Sequence, residues 1–123
     1  MTTTIIPLPC WLKPPLTGNR TRGNPYARAN EVKQALEQAR MAVRAAKPRA
    51  LMACEVTLHF RPKDRRRRDA DGLFPTLKVC QDALVLEGIL IDDSWQSVPA
   101  ATCRIHPPIG PAACWLELSE VAA

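Results

Sequence analysis

The residues with the most chemistry in them lie together in Asp64-Arg-Arg-Arg-Arg-Asp-Ala-Asp71. Arg65, Arg66, Arg67 and Arg68 run directly into two aspartates one residue apart, Asp69 and Asp71. Arginine suits phosphate, because its planar fork donates two parallel hydrogen bonds to an oxyanion. A carboxylate pair suits Mg²⁺, which takes oxygen ligands, keeps several waters and often shares a substrate phosphate. Side by side, these groups describe a site that holds a nucleic-acid backbone and hydrolyses it. A second acidic pair, Asp92-Asp93, follows a helical segment that would return it to the first. Asp69, Asp71 and Asp93 are then the metal ligands, and Asp92 is either a further ligand or an outer-shell partner. Such a metal lowers the pKa of its bound water, polarises the phosphoryl oxygen and steadies the leaving oxygen. Lys78, one turn into the intervening helix, is placed to neutralise charge on the scissile phosphate.

Each piece has a bland counterpart. Asp-x-Asp and Asp-Asp are most often solvated surface or turn, and an arginine run is often a solvated charge tract. Their combination is the signal. Geometry adds a condition: residues two apart share a side only in extended backbone, and in an α-helix they diverge by about 160°. Asp69 and Asp71 are therefore expected at a strand or loop end just before the helix. The glycine-flanked loop Gly18–Gly23 carries Arg20 and Arg22, either as further phosphate contacts or as an ordinary solvated loop.

Charge is distributed unevenly. Residues 1–68 hold 15 Lys/Arg and 4 Asp/Glu, a net +11, and residues 69–123 hold 2 and 8, a net −6. The sign changes inside the motif. A polyanion is drawn to the first half, and the acidic second half needs cations to tolerate it. The five cysteines form no Cys-x-x-Cys pair, which reads as buried free thiols in a reducing cytoplasm rather than a zinc site. No apolar run approaches the roughly 18 residues of a membrane span, and the start lacks the basic and long apolar regions of a signal peptide.

The positioning elements follow from periodicity. Thr2–Leu8 reads as a first strand. A helix starts near Asn24-Pro25, or at Asn30, and runs to Ala46, with Val32, Leu36, Ala39, Val43 and Ala46 as its apolar stripe. In Leu51–Arg61, Met52, Cys54, Val56, Leu58 and Phe60 alternate inward, and His59 falls on the polar side as a surface residue. A second helix has Pro75 in its first turn, Gly88 past its end, and Leu73, Leu77, Cys80 and Leu84 buried. Lys78 and Asp82 share a face at i, i+4, and Ile89-Leu90-Ile91 supplies a short extended return. Ala101–His106 and Cys114–Ser119 read as a C-terminal hairpin around a proline-rich turn. The order β-α-β-α-β-β predicts one α/β domain over residues 1–123, with a mixed or antiparallel sheet and both main helices mainly on one face.

Taken together, Asp64–Asp71, Lys78 with Asp82-Ala83-Leu84, Gly88 and Asp92-Asp93 resemble the RusA-type Holliday junction resolvases, crossover junction endodeoxyribonucleases of bacteria, phages and prophages. The proline-rich start ending in Asn19-Arg20 is similar too. The resemblance implies a structure-selective endonuclease that cuts paired strands of a four-way DNA junction as a homodimer. It implies Mg²⁺, with Mn²⁺ as a substitute, held by Asp69, Asp71 and Asp93, with Lys78 as the catalytic lysine. Gly72 departs from the family, which usually has asparagine there, and Asp71 and Lys78 stand further apart than in its shortest form. Two other classes compete: a non-catalytic basic DNA-binding module, such as a degenerate prophage copy, and a small structural protein whose arginines bind an acidic partner.

Overall fold

The computed structural model describes residues 2–17 and 24–122, so Arg20 and Arg22 lie outside the described residues. Strand β1 (Thr3–Pro7) is followed by helix α1 (Pro25–Ala46), strand β2 (Cys54–Arg61), helix α2 (Phe74–Leu86), and strands β3 (Ala101–Ile105) and β4 (Ala113–Glu120). A single 3₁₀ turn, Ala70–Leu73, leads into α2. The expected order β-α-β-α-β-β holds, and the four strands form one mixed sheet.

Helix α1 begins at the earlier of its two candidate starts. Asn24 is extended and accepts a hydrogen bond from the Tyr26 N–H at 2.9 Å, and Pro25 has no N–H left to satisfy. Lys47 ends the helix in the left-handed region (φ 49°), donating to the Val43 carbonyl. The buried line runs through Ala35, Ala39 and Val43, with Leu36, Ala42 and Ala46 packed beside it. Val32, expected on that line, is 37% exposed, because the first turns of α1 project past the core.

On β2, Cys54, Val56, Leu58 and Phe60 are buried as the alternation requires, whereas Met52 is 65% exposed. The strand begins only at Cys54, so its period does not reach Met52. The inward residues of the sheet join Leu73, Leu77, Cys80 and Leu84 of the second helical segment in one core, with Ala39 and Val43 of α1. All five cysteines are free, Cys10 exposed and the other four buried. Burial pushes the Cys54 and Cys103 thiols up to about 11 and Cys114 to about 12, so these are inert core residues.

Strand order is β1-β4-β2-β3, with β2 and β3 parallel and β4 antiparallel to both its neighbours. The expected C-terminal hairpin is therefore absent: β3 and β4 lie on opposite sides of β2. A tight hairpin needs two to five turn residues with Gly or Asn where φ is positive. Here the connector carries Pro107, Pro108 and Pro111, bends at Pro108 and at Gly110–Pro111, and bridges the width of β2, about 9–10 Å between strands two apart. The His106 N–H donates to the Phe60 carbonyl at 2.8 Å, and Arg61 Nε donates to the Pro111 carbonyl at 2.6 Å. Gly110, at φ 103°, takes the positive-φ backbone that favours glycine where the connector turns beside Arg61.

Candidate functional site

Strand β2 hands the chain to the arginine loop through Arg61 and the buried Pro62. Asp64 anchors that loop. Its carboxylate accepts from the Arg66 N–H (3.1 Å), from Arg68 Nη2 (2.7 Å) and from Arg66 Nη2 (3.1 Å). Arg68 Nη1 also donates to the carbonyls of Asp64 and Arg66, both at 3.0 Å, and its guanidinium lies over the Phe60 ring. The Arg68 hydrogen bond, followed by the Arg66 N–H, holds the Asp64 carboxyl below the usual carboxylate range. Arg68, expected among the phosphate contacts, is thus engaged in closing its own loop. Arg65, Arg66 and Arg67 are exposed, and Arg67 stands 3.8 Å from Asp69.

Asp69 is extended (φ −109°, ψ 135°), and its carbonyl accepts the Gly72 N–H at 3.1 Å. Asp71 already lies inside the 3₁₀ turn. Their spacing predicts one shared extended segment, but only Asp69 is extended, and the chain enters the 3₁₀ turn between the two. Both are exposed. Beside them is a cleft of about 210 Å³ lined by Lys13, Pro14, Thr17, Phe60, Arg68, Asp69, Gly72 and Leu73. A Cβ on Gly72 would meet nothing within 4 Å, so the missing asparagine is not a steric requirement.

Seven residues after Asp71 are close to two helical turns, which puts Lys78 on the same side of the helical column, roughly 10 Å further along. Lys78 Nζ contacts the Asp93 carboxylate and Asp82 Oδ1, the latter at 3.1 Å. These bonds, Asp93 first, raise the Lys78 ammonium above its ordinary value, and Lys78 lowers Asp93. Asp92 accepts from the Ser94 N–H, and its hydrogen bonds to Ser94 lower it too. The return to Lys78 is made by turns, not by the extended Ile89-Leu90-Ile91 that alternation suggested. The N–H groups of Ile89 and Leu90 both donate to the Leu84 carbonyl, and the Ile89 carbonyl accepts the Leu51 N–H at 2.9 Å. Ile89 and Leu90 are buried, and Ile91 is 72% exposed. Two apolar side chains therefore pin the loop that carries Asp92 and Asp93.

The structure brings Asp93 to Lys78. Among the described residues no three His, Cys, Asp or Glu side chains are grouped to hold a metal ion, so Asp69, Asp71 and Asp93 are not gathered into one shell here. All three offer carboxylate oxygen, the donor type that Mg²⁺ takes.

Two features were not foreseen. Met52, Ile91, Asp92, Trp95, Pro99 and Val121 contribute to a hollow of about 560 Å³ beside the acidic loop, with the Trp95 ring exposed. And His59, expected at the surface, is only 7% exposed. Its neighbours come from β4 and from the end of β3, which alternation within one segment cannot reveal; the signal available was that His59, His106 and Trp115 all sit on polar-side positions. No helix among the described residues is long and apolar enough to cross a membrane. No family model matches the chain, and no curated protein matches it.

Proposed function

We propose that the chain is a Mg²⁺-dependent endodeoxyribonuclease of the RusA type, resolving four-way DNA junctions by paired phosphodiester hydrolysis as a cytoplasmic homodimer. The observation that carries this is the return of Asp93 to Lys78. It unites two acidic motifs far apart in sequence along one helical column, with the arginine loop feeding its start. Arg65, Arg66 and Arg67 hold backbone phosphates by charge-assisted hydrogen bonds. Asp69, Asp71 and Asp93 are the residues that would hold Mg²⁺ or Mn²⁺, which supplies an activated water and charge at the phosphoryl oxygen. Lys78 keeps Asp93 ionised and adds a positive charge at the same place. A dimer presents two equivalent sites to a two-fold junction.

A second reading is a non-catalytic basic module for branched or duplex DNA. It is favoured by the separation of the three carboxylates and by the ion pair that already neutralises Asp93. The deciding experiment incubates the purified protein with a synthetic four-way junction, a fork and a duplex, with and without Mg²⁺. Metal-dependent paired nicks in the junction support the nuclease. Salt-sensitive binding with no cutting in Mg²⁺ or Mn²⁺ selects the binding module.

A further inference from the structure

The chain has two histidines, and both belong to one cluster on the sheet face turned away from the helices. In the strand register His59 of β2 stands between Trp115 of β4 and Arg104 of β3. Its Nδ1 lies 2.7 Å from His106 Nε2, and its Nε2 lies 2.7 Å from Glu117 Oε1. The two imidazoles meet edge to edge through this contact, their centroids 5.0 Å apart, and the Trp115 indole lies beside both, 5.1 Å from His59 and 5.2 Å from His106. The Arg61 guanidinium sits 5.4 Å from the Trp115 ring centroid.

These distances impose a proton count. An N···N contact of this length holds one hydrogen, so one ring donates and the other accepts. With both rings neutral, His106 donates to His59 Nδ1, and His59 Nε2–H donates to Glu117. One added proton fits without rearrangement: His59 then donates from both nitrogens, and His106 accepts on Nε2 while carrying its own hydrogen on Nδ1. A second added proton must go to His106, and two N–H groups then face each other across the contact. The charged groups on this sheet face are Glu55 and Arg61 from β2, Arg104 from β3 and Glu117 from β4; β1 and the proline-rich connector bring none. Burial first, then His59, Arg104 and Arg61, hold His106 below the ordinary histidine value.

We propose that His59, His106 and Glu117 form a one-proton clamp that fastens the β3–β4 crossover across the end of β2, and that binding of a second proton opens it. The three residues tie together the end of β3, β2 and β4, the strands that the connector spans. Arg61 lies between the clamp and the arginine loop, so opening also loosens the root of that loop. The clamp stands independently of the nuclease reading.

Imidazole ¹⁵N NMR of the full chain tests it, and His106→Gln assigns the two histidine signals. The expected result is two resolved protonation steps: after the first a single hydrogen still sits in the His59–His106 contact, and the second, separate and more acid, puts hydrogen on both facing nitrogens. Amide-exchange protection over residues 109–114 falls with the second step only, together with a change in Trp115 emission. In His106→Gln, which keeps a donor toward His59 but cannot be protonated, protection stays flat across the same pH range. Two histidines titrating together in one step overturn the clamp. So does protonation of His106 with no loss of crossover protection. The wild-type titration decides alone if the variant does not fold.

Discussion

Replacing Thr76 by valine exchanges one hydroxyl for a methyl group at a site with 0% exposure. That hydroxyl performs two tasks. It donates to the Leu16 carbonyl at 2.6 Å and accepts from the Leu16 N–H at 3.1 Å. Leu16 is itself buried, at 1% exposure, so water cannot replace the lost partner. Each orphaned backbone group costs about 1–3 kcal/mol, or about 2–6 kcal/mol for the pair. The new buried methyl returns about 0.8 kcal/mol. The net loss is about 1–5 kcal/mol, against a total stability of about 5–15 kcal/mol for a domain. Urea denaturation followed by circular dichroism measures this as a lowered midpoint at unchanged slope. Thr76→Ser is the control: it keeps both hydrogen bonds and gives up one methyl, about 1 kcal/mol. A Thr76→Val protein as stable as wild type, or more stable than Thr76→Ser, would refute the claim that this hydroxyl stitches the Leu8–Thr17 segment to α2.

Other outcomes follow from the same contacts. Asp71→Asn, nearly isosteric and exposed, should leave the fold intact and junction binding in place while cutting falls by at least about 100-fold; cleavage at the wild-type rate would remove the metal site from the proposal. Arg67→Ala should weaken junction binding and reduce the salt slope by about one. Arg68→Ala should instead loosen the loop by removing the shortest of the hydrogen bonds to Asp64, read as faster amide exchange at Arg66, so equal salt-slope losses in both variants would contradict the division of labour. Gly72→Asn should change stability by less than about 0.5 kcal/mol, because nothing crowds that position; a large drop in the thermal midpoint would show a hidden constraint.

Much of the fold is written locally. Asn24-Pro25 caps α1, and the Leu73, Leu77, Cys80, Leu84 stripe declares α2, because caps and helical periods depend on residues a few positions apart. Strand neighbours do not. Alternation gives the side of β2 each residue faces, but not that β2 lies between β3 and β4. Arg68 binds within its own loop for a chemical reason: a guanidinium fits carboxylate and phosphate equally well, and Asp64 four residues earlier is the nearer acceptor. The Lys78–Asp82 pair was legible at i, i+4. Sequence reasoning sends Asp93 toward Asp69 and Asp71; its contact with Lys78, and the turns pinned by Ile89 and Leu90 that make it, are visible only in the structure. For His59 the alternation gives the face but not the burial, since its cover arrives from β4 and the end of β3.

Sheet order carries a consequence for synthesis. β1 precedes the other described strands in the chain, and among the described residues it pairs only with β4, with Thr3 set against Ser119. At about 5–20 residues per second, β1 waits several seconds without a hydrogen-bonded neighbour, while β2, α2 and β3 can already assemble as a parallel unit. Strand β4 must then enter between β1 and β2 and complete two ladders at once. Until β4 emerges the nascent chain therefore exposes, besides the outer edges of β1 and β3, the two edges that β4 will cover, and it is in that interval, before the folded protein exists, that pairing with another copy competes most strongly.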